Sequence, residues 1–293
     1  ASVQSVINDY TSHHPWDQLT AADQRPRTVT EQVAGQVTAN TFYAYMHEPD
    51  SGAYYEIEER SHRAESAFGD ADNLRQTTYY YAADAPLHVR GHKQRVEYPD
   101  GRVDTYSYRY GYYQDDTLDP SQSGFVEDPS GSDWQESITY GTVAAPEGIA
   151  YDTTRSITVT DRRGDVVLRE TQVYTGTDYV RVDWEVIRYN LLHNPLETIR
   201  GNGSRESATW SHCCGKQTER QADSTEWFYD YDGLKRVLSK TKLSVDGSIG
   251  FTERYTYDGN GNRLSETHSG GDLSLTTRYV YDALGRKVEQ TDP

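Results

Sequence analysis

Residues 227–293 repeat one short pattern, and that repetition limits the folds open to this chain. Trp227-Phe228-Tyr229-Asp230-Tyr231-Asp232-Gly233-Leu234-Lys235-Arg236 returns as Tyr255-Thr256-Tyr257-Asp258-Gly259-Asn260-Gly261-Asn262-Arg263. It returns again as Tyr279-Val280-Tyr281-Asp282-Ala283-Leu284-Gly285-Arg286. Tyr231, Tyr257 and Tyr281 mark steps of 26 and 24 residues. Tyr-x-Tyr puts two rings on one face of a strand. The following Asp can accept hydrogen bonds from a turn, and Gly261 or Gly285 can supply positive φ. The Arg beyond the turn, Arg263 or Arg286, is expected to reach back to Asp258 or Asp282. Each unit therefore reads as strand, turn, strand. One such hairpin covers too little apolar surface to stand alone, whereas stacked copies cover each other. A degenerate copy starts at Arg188-Tyr189-Asn190, and Tyr81 and Tyr108 lie 27 residues apart in a similar setting.

The motif around Tyr257-Asp258-Gly259-Asn260-Gly261-Asn262-Arg263 and Tyr281-Asp282-Ala283-Leu284-Gly285-Arg286 resembles the YD repeat of the RHS-repeat proteins. That family includes bacterial Rhs toxins, shell components of insecticidal toxin complexes, and teneurins. The resemblance is strongest over 227–293, fair over 185–226 and weaker from 77 to 184. It implies an all-β fold: a curved or spiralling antiparallel sheet of stacked hairpins, a shell-like segment. It also implies a rigid extracellular scaffold with a carbohydrate or protein partner. The chain lacks the core motif and self-cleavage site that precede a toxin in that family; Asp128-Pro129-Ser130-Gly131 shares only three residues with the latter. Its last unit is incomplete at Pro293, so the expectation is a segment of a longer protein or one chain of an assembly.

Composition agrees with extended sheet. The 293 residues hold 25 Tyr but 5 Phe and 1 Met, and Tyr suits surfaces with one dry side and one wet rim. Helical periodicity is scarce; the best short candidate is Val3 to Tyr10. Period-two runs predict strands at 41–45, 53–58, 77–82, 94–98, 102–108, 156–160 and 165–170. Asp100-Gly101 marks a hairpin, and 114–136, rich in Asp, Ser, Gly and Pro, reads as the longest loop.

Formal net charge is −17, from 29 basic and 46 acidic residues. An acidic chain without basic stripes disfavours nucleic acid and anionic membrane as partners. No apolar run is long enough for a membrane-spanning helix, and no signal peptide is expected within the chain. Residues 201–293 carry 12 basic and 14 acidic groups, so nearly all the negative charge lies before Gly201. Three regions are expected: an irregular lead-in with a first hairpin over 1–60, an acidic Tyr-rich β region over 61–200, and regular repeats over 201–293.

Several residues carry candidate chemistry. His88, His92, Tyr98 and Arg102 supply the groups of a polysaccharide lyase: a base, a tyrosine acid and an arginine to neutralise a uronate carboxylate. Cys213 and Cys214 are adjacent, so a disulfide between them would be a strained ring formed in an oxidising compartment. The alternatives there are a rigid turn bracing two units or a metal site with His212. Glu56 and Glu58 share a strand face and suit calcium or solvent. His13-His14 beside Trp16 could line a pocket, and the rows Tyr79–Tyr81 and Tyr106–Tyr113 either stack sugars or pack between hairpins. Tyr231, Asp232, Tyr257, Asp258, Gly261, Arg263, Tyr281, Asp282, Gly285 and Arg286 are expected to be architectural. A structural or binding scaffold, a lyase, and an assembly or filament subunit are the three functions open to the chain.

Overall fold

The computed structural model describes residues 4–9, 25–47, 53–142, 153–212 and 215–293. The described residues form 21 strands and one short 3-10 turn, Pro120–Gln122, so the fold is all-β. They divide into two compact units.

The first unit comprises Ala1–Gln114, Phe125–Arg162 and Arg169–Val182. Its strands are β1 (Gln4–Asp9), β2 (Thr28–Val33), β3 (Gln36–His47), β4 (Tyr54–Arg60), β5 (Leu74–Tyr80), β6 (Lys93–Glu97), β7 (Arg102–Gln114), β8 (Gly124–Glu127), β9 (Asp133–Thr142) and β10 (Thr154–Thr160). Antiparallel pairing runs β1 to β7 in chain order, then β7 to β9 and β9 to β10. Two sequence expectations change here. Within the helix candidate Val3 to Tyr10, the described residues Gln4–Asp9 are strand: they pair residue for residue with Thr28–Val33, and Val6-Ile7 favour the pleated surface. The stretch 114–136 is not all loop. Asp116 Oδ1 accepts from the Leu118 and Asp119 amides, each at 2.9 Å, which tightens the chain into the 3-10 turn and returns it as β8 and β9.

The core of this unit is thin but sealed. Phe42, Ala44, Tyr45, Val96, Tyr108, Ile157 and Val159 are buried. Glu59 is buried too, at 1% exposure. Its Oε1 accepts from the Gly69 amide at 2.6 Å and Asn73 Nδ2 at 2.7 Å, and its Oε2 accepts from Arg75 Nε at 2.8 Å. One carboxylate thus ties down the loop between β4 and β5, whose Phe68 meets Phe42 edge-on.

The second unit comprises Asp115–Gly124, Arg163–Leu168 and Asp183–Pro293. Strands β11 (Val166–Tyr174) and β12 (Tyr179–Tyr189) contribute to both units. The regular part follows as β13 (Pro195–Arg200), β14 (Arg205–Trp210), β15 (Lys216–Arg220), β16 (Glu226–Tyr231), β17 (Val237–Leu243), β18 (Ile249–Tyr257), β19 (Arg263–Gly270), β20 (Leu273–Tyr281) and β21 (Lys287–Thr291). From β12 to β21 each strand pairs antiparallel with the next. Beyond Ile199 the one buried apolar residue among those described is Tyr255; the other strand residues are half-buried or exposed. Tyrosine serves such a layer because its ring seals and its hydroxyl stays paired.

Candidate functional site

The repeat motif builds one turn many times. The Asp232 amide donates to the Arg236 carbonyl at 2.9 Å, and the Lys235 amide donates back to the Asp232 carbonyl at 3.0 Å. Asp258 with Asn262 and Gly261, and Asp282 with Arg286 and Gly285, repeat both bonds within 0.2 Å. This is a tight turn ending in a left-handed residue: φ is 67° at Lys235, 93° at Gly261 and 76° at Gly285. In each turn the Asp Oδ1 also accepts two turn amides, at 2.8–3.0 Å. The carboxyls of Asp232 and Asp282 are held below the ordinary range chiefly by the backbone amides of Arg236 and Arg286. For Asp258 the leading cause is the Asn262 side chain.

That last difference corrects the expected role of Arg263. Arg236 Nε and Arg286 Nε do reach back to Asp232 and Asp282, at 2.6 and 2.8 Å. In the middle repeat Asn262 Nδ2 takes this place at 2.8 Å, because the turn counts four residues from Asp and Arg263 is the fifth. Arg263 instead pairs with Glu266 at 3.1 Å and lies over the rings of Tyr255 and Tyr279.

In three successive repeats the aromatic residue before the turn fastens its hairpin to the previous one. Tyr231 pairs with Val237 across its own turn, and the hydroxyl of Tyr257 donates to the Val237 carbonyl at 2.8 Å. Trp210 pairs with Lys216, and Tyr231 donates to the Lys216 carbonyl at 2.8 Å. Tyr189 pairs with Pro195, and Trp210 Nε1 donates to the Pro195 carbonyl at 2.8 Å. Each aromatic sits where the strand register shifts, and the shift swings it toward its neighbour. Arg236 adds a second fastening, with its guanidinium 4.7 Å over the Tyr257 ring and its NH1 3.0 Å from the Asp258 carbonyl.

Trp210 is a repeat position that the Tyr-based reading overlooks. Its signal is spacing: Tyr189, Trp210 and Tyr231 lie 21 residues apart. His212-Cys213-Cys214-Gly215 follows in the sequence, and both cysteines, including the disulfide or metal site considered there, lie outside the described residues. The flanking Ser211 amide donates to the Gly215 carbonyl at 2.8 Å. Gly215 has φ of 134°, and a Cβ there would stand 2.9 Å from the Tyr231 hydroxyl, so the turn needs glycine for the next staple to close.

One face of the second unit carries tyrosine–glutamate–cation sets. Tyr229 donates to Glu219 at 2.8 Å while Lys216 pairs with Glu219 at 3.0 Å. Tyr255, Glu253 and Lys240 form another set, and Tyr279, Glu266 and Arg263 a third. The opposite face presents hydroxyl pairs, including Thr209–Thr218 at 2.7 Å and Thr267–Thr276 at 2.9 Å.

In the first unit the tyrosines divide between carbonyl bonds, Tyr45 to Pro26 and Tyr81 to Tyr106 at 3.0 Å each, and side-chain networks. Glu56 accepts from Tyr54 at 2.6 Å, Tyr80 at 2.9 Å and Arg25 at 3.2 Å, which absorbs a carboxylate considered for calcium. Among the described residues no group of three or more His, Cys, Asp or Glu could hold a metal. His13, His14 and Trp16 lie outside the described residues. Tyr55 stacks on Tyr79, and Tyr81 meets Tyr108 edge-on.

The four lyase candidates fall into two pairs. His88 and His92 join an aromatic cluster: His92 lies 4.8 Å from the Tyr108 ring and 5.5 Å from Trp134, and His88 lies 5.4 Å from Tyr110. Tyr98 and Arg102 form the turn at the far end of β6, with the guanidinium 4.1 Å over the ring. Burial, then a hydrogen bond to Asp104, raises the Tyr98 hydroxyl. The five residues of β6 separate His92 from Tyr98 by roughly 20 Å of extended chain. Among the described residues no hydrogen bond, ion pair or ring contact joins the two pairs.

No family model matches the chain, and no curated protein matches it. Solved structures do. A crystal structure of TcdB2-TccC3-Cdc42 is 11% identical over 92% of this chain, with a TM-score of 0.37. A Photorhabdus luminescens Tc holotoxin pore with a TccC3 mutation is 12% identical over 92% of this chain, with a TM-score of 0.31. A porin-like protein from Bacteroides uniformis is 9% identical over 51% of this chain and 61% of its own, with a TM-score of 0.30. The chain spans 17% and 16% of the two toxin-complex chains it is similar to.

Proposed function

We propose that this chain is a wall segment of the YD-repeat kind: a rigid β scaffold, secreted or surface-displayed by a bacterium, that works within a larger assembly and presents its faces to a protein or carbohydrate partner. The observation that carries this reading is the turn-and-staple pattern. The motif aspartates are consumed by turn amides, and the motif aromatics of three successive repeats by neighbouring backbone carbonyls. Groups so engaged hold a shape.

The edge of the second unit supports assembly. Strand β21 pairs with β20, and all five of its residues are exposed. A strand exposed in this way can template pairing with another chain. No helix among the described residues is long and apolar enough to cross a membrane.

Analytical ultracentrifugation tests the assembly role. The purified chain is expected to gain mass with concentration, and Val288→Lys, which charges the open edge, is expected to hold it monomeric. A chain that stays monomeric at every concentration, with or without the substitution, contradicts self-association through β21.

A further inference from the structure

We infer that the first unit carries a binding pocket for an acidic sugar, a uronate, on the face of β7, β9 and β10. This deepens the scaffold reading by naming a ligand class for one of its surfaces.

The pocket has a volume of about 210 Å³. Its floor is polar: Ser107 and Ser137 lie opposite each other on β7 and β9, and Gln135 is two residues along from Ser137. Phe125 supplies one apolar wall. The lining holds two guanidinium groups, Arg109 and Arg155, against one carboxylate, Glu127. One net positive charge thus gathers at a hollow in a chain of net charge −17.

The two arginines differ. Arg109 pairs with Glu127 at 2.9 Å, and both are more than half exposed. Arg155 is half-buried. Its guanidinium lies 3.6 Å over the Tyr179 ring, and its Nε donates to Thr139 Oγ1 at 3.3 Å. No carboxylate of the described residues forms an ion pair with it, although acidic residues outnumber basic ones 46 to 29. A partly desolvated cation without a counter-charge is costly unless an anion completes it. A ring-stacked guanidinium keeps its planar fork fixed, and that fork matches a carboxylate in two parallel hydrogen bonds.

The rest of the lining selects the class of carboxylate. Serine hydroxyls and a glutamine amide each donate and accept, as a ring of sugar hydroxyls requires. The Phe125 ring suits the apolar face of a pyranose. One net charge matches a monoanion. No His or Tyr lines the pocket, and its one carboxylate, Glu127, is paired with Arg109 at 2.9 Å, an arrangement suited to binding.

Calorimetric titration of the full chain with oligogalacturonate, oligoglucuronate, a neutral glucose oligomer and inorganic phosphate tests this. Saturable binding of one uronate polymer is expected, at least tenfold tighter than the neutral oligomer or phosphate. Arg155→Gln is expected to weaken it at least tenfold, and Arg155→Lys, which keeps the charge and loses the fork, is expected to weaken it less. Unchanged circular dichroism checks that each variant folds; should Arg155→Gln fail to fold, Gln135→Ala is the second probe and is expected to weaken binding severalfold. No uronate binding, equal binding of the neutral oligomer, or unchanged affinity in a folded Arg155→Gln overturns the proposal. Arg155→Gln leaves the β21 edge intact, so the ultracentrifugation result stands or falls separately.

Discussion

Raising the pH from 10 to 12 is expected to unfold the first unit cooperatively. Burial pushes the hydroxyls of Tyr45, Tyr80 and Tyr106 up to about 12, and those of Tyr54 and Tyr108 higher still. For Tyr54 and Tyr80 the hydrogen bonds to Glu56 add to that rise, since a phenolate cannot donate to a carboxylate. In an unfolded chain the same groups ionise near 10. Above that value the unfolded state binds fewer protons than the folded one, so stability falls as pH rises. The stabilisation is complete below pH 10 and is lost as pH climbs through 12. Tyr229 and Tyr255 of the second unit are raised in the same direction by burial and by Glu219 and Glu253. Tyrosinate absorbance and far-ultraviolet circular dichroism, followed together, check this. The account predicts one steep coincident transition. Smooth ionisation near pH 10 with the sheet signal intact contradicts it.

Glu59→Ala is expected to destabilise the first unit by about 3 kcal/mol, as removal of one partner from a buried ionic network does. The Gly69 amide, the Asn73 amide and two nitrogens of Arg75 lose their acceptor together. Arg75 is 45% exposed and can turn to water, which keeps the loss at the low end of the range. Glu59→Gln retains one acceptor and is expected to cost less, and Arg75→Ala less again. Denaturant unfolding of the three variants gives the order. Equal stability of Glu59→Ala and the parent chain contradicts the anchoring role.

The second unit was the more legible part of the sequence. Its turn is a local device: Asp232, the left-handed position and Arg236 lie within five residues, so spacing alone exposes them. The tertiary partner of each aromatic was not legible, because nothing local to Tyr257 points to the Val237 carbonyl 20 residues earlier. Trp210 escaped because the role needs only a ring with a donor at its rim, which indole supplies as well as phenol. Lys235 escaped because the glycine rule is a preference, and a lysine bears the same φ. In the first unit the strands were readable from alternation, while their purpose was not. Tyr54, Tyr80 and Arg25 converge on Glu56 from its own strand and from positions 24 and 31 residues away: the register of β4 and β5 brings Tyr80, and the segment before β2 brings Arg25. His88 and His92 looked like chemistry by spacing; the loop before β6 turns them onto Trp134 and Tyr108 instead.

Residue-resolved amide hydrogen exchange on Tyr257→Phe, compared with the parent chain, tests the central claim most directly. Removing one hydroxyl deletes the bond to the Val237 carbonyl and leaves every strand pairing in place. A hydrogen bond of this kind contributes about 1 kcal/mol, so exchange is expected to quicken about fivefold. If neighbouring hairpins hold each other, the change spreads to both sides of the lost staple, through β16 and β17 as well as β18 and β19. A change confined to β18 and β19, or none at all, means that each hairpin stands by itself and that the stapled wall is not what keeps this chain folded.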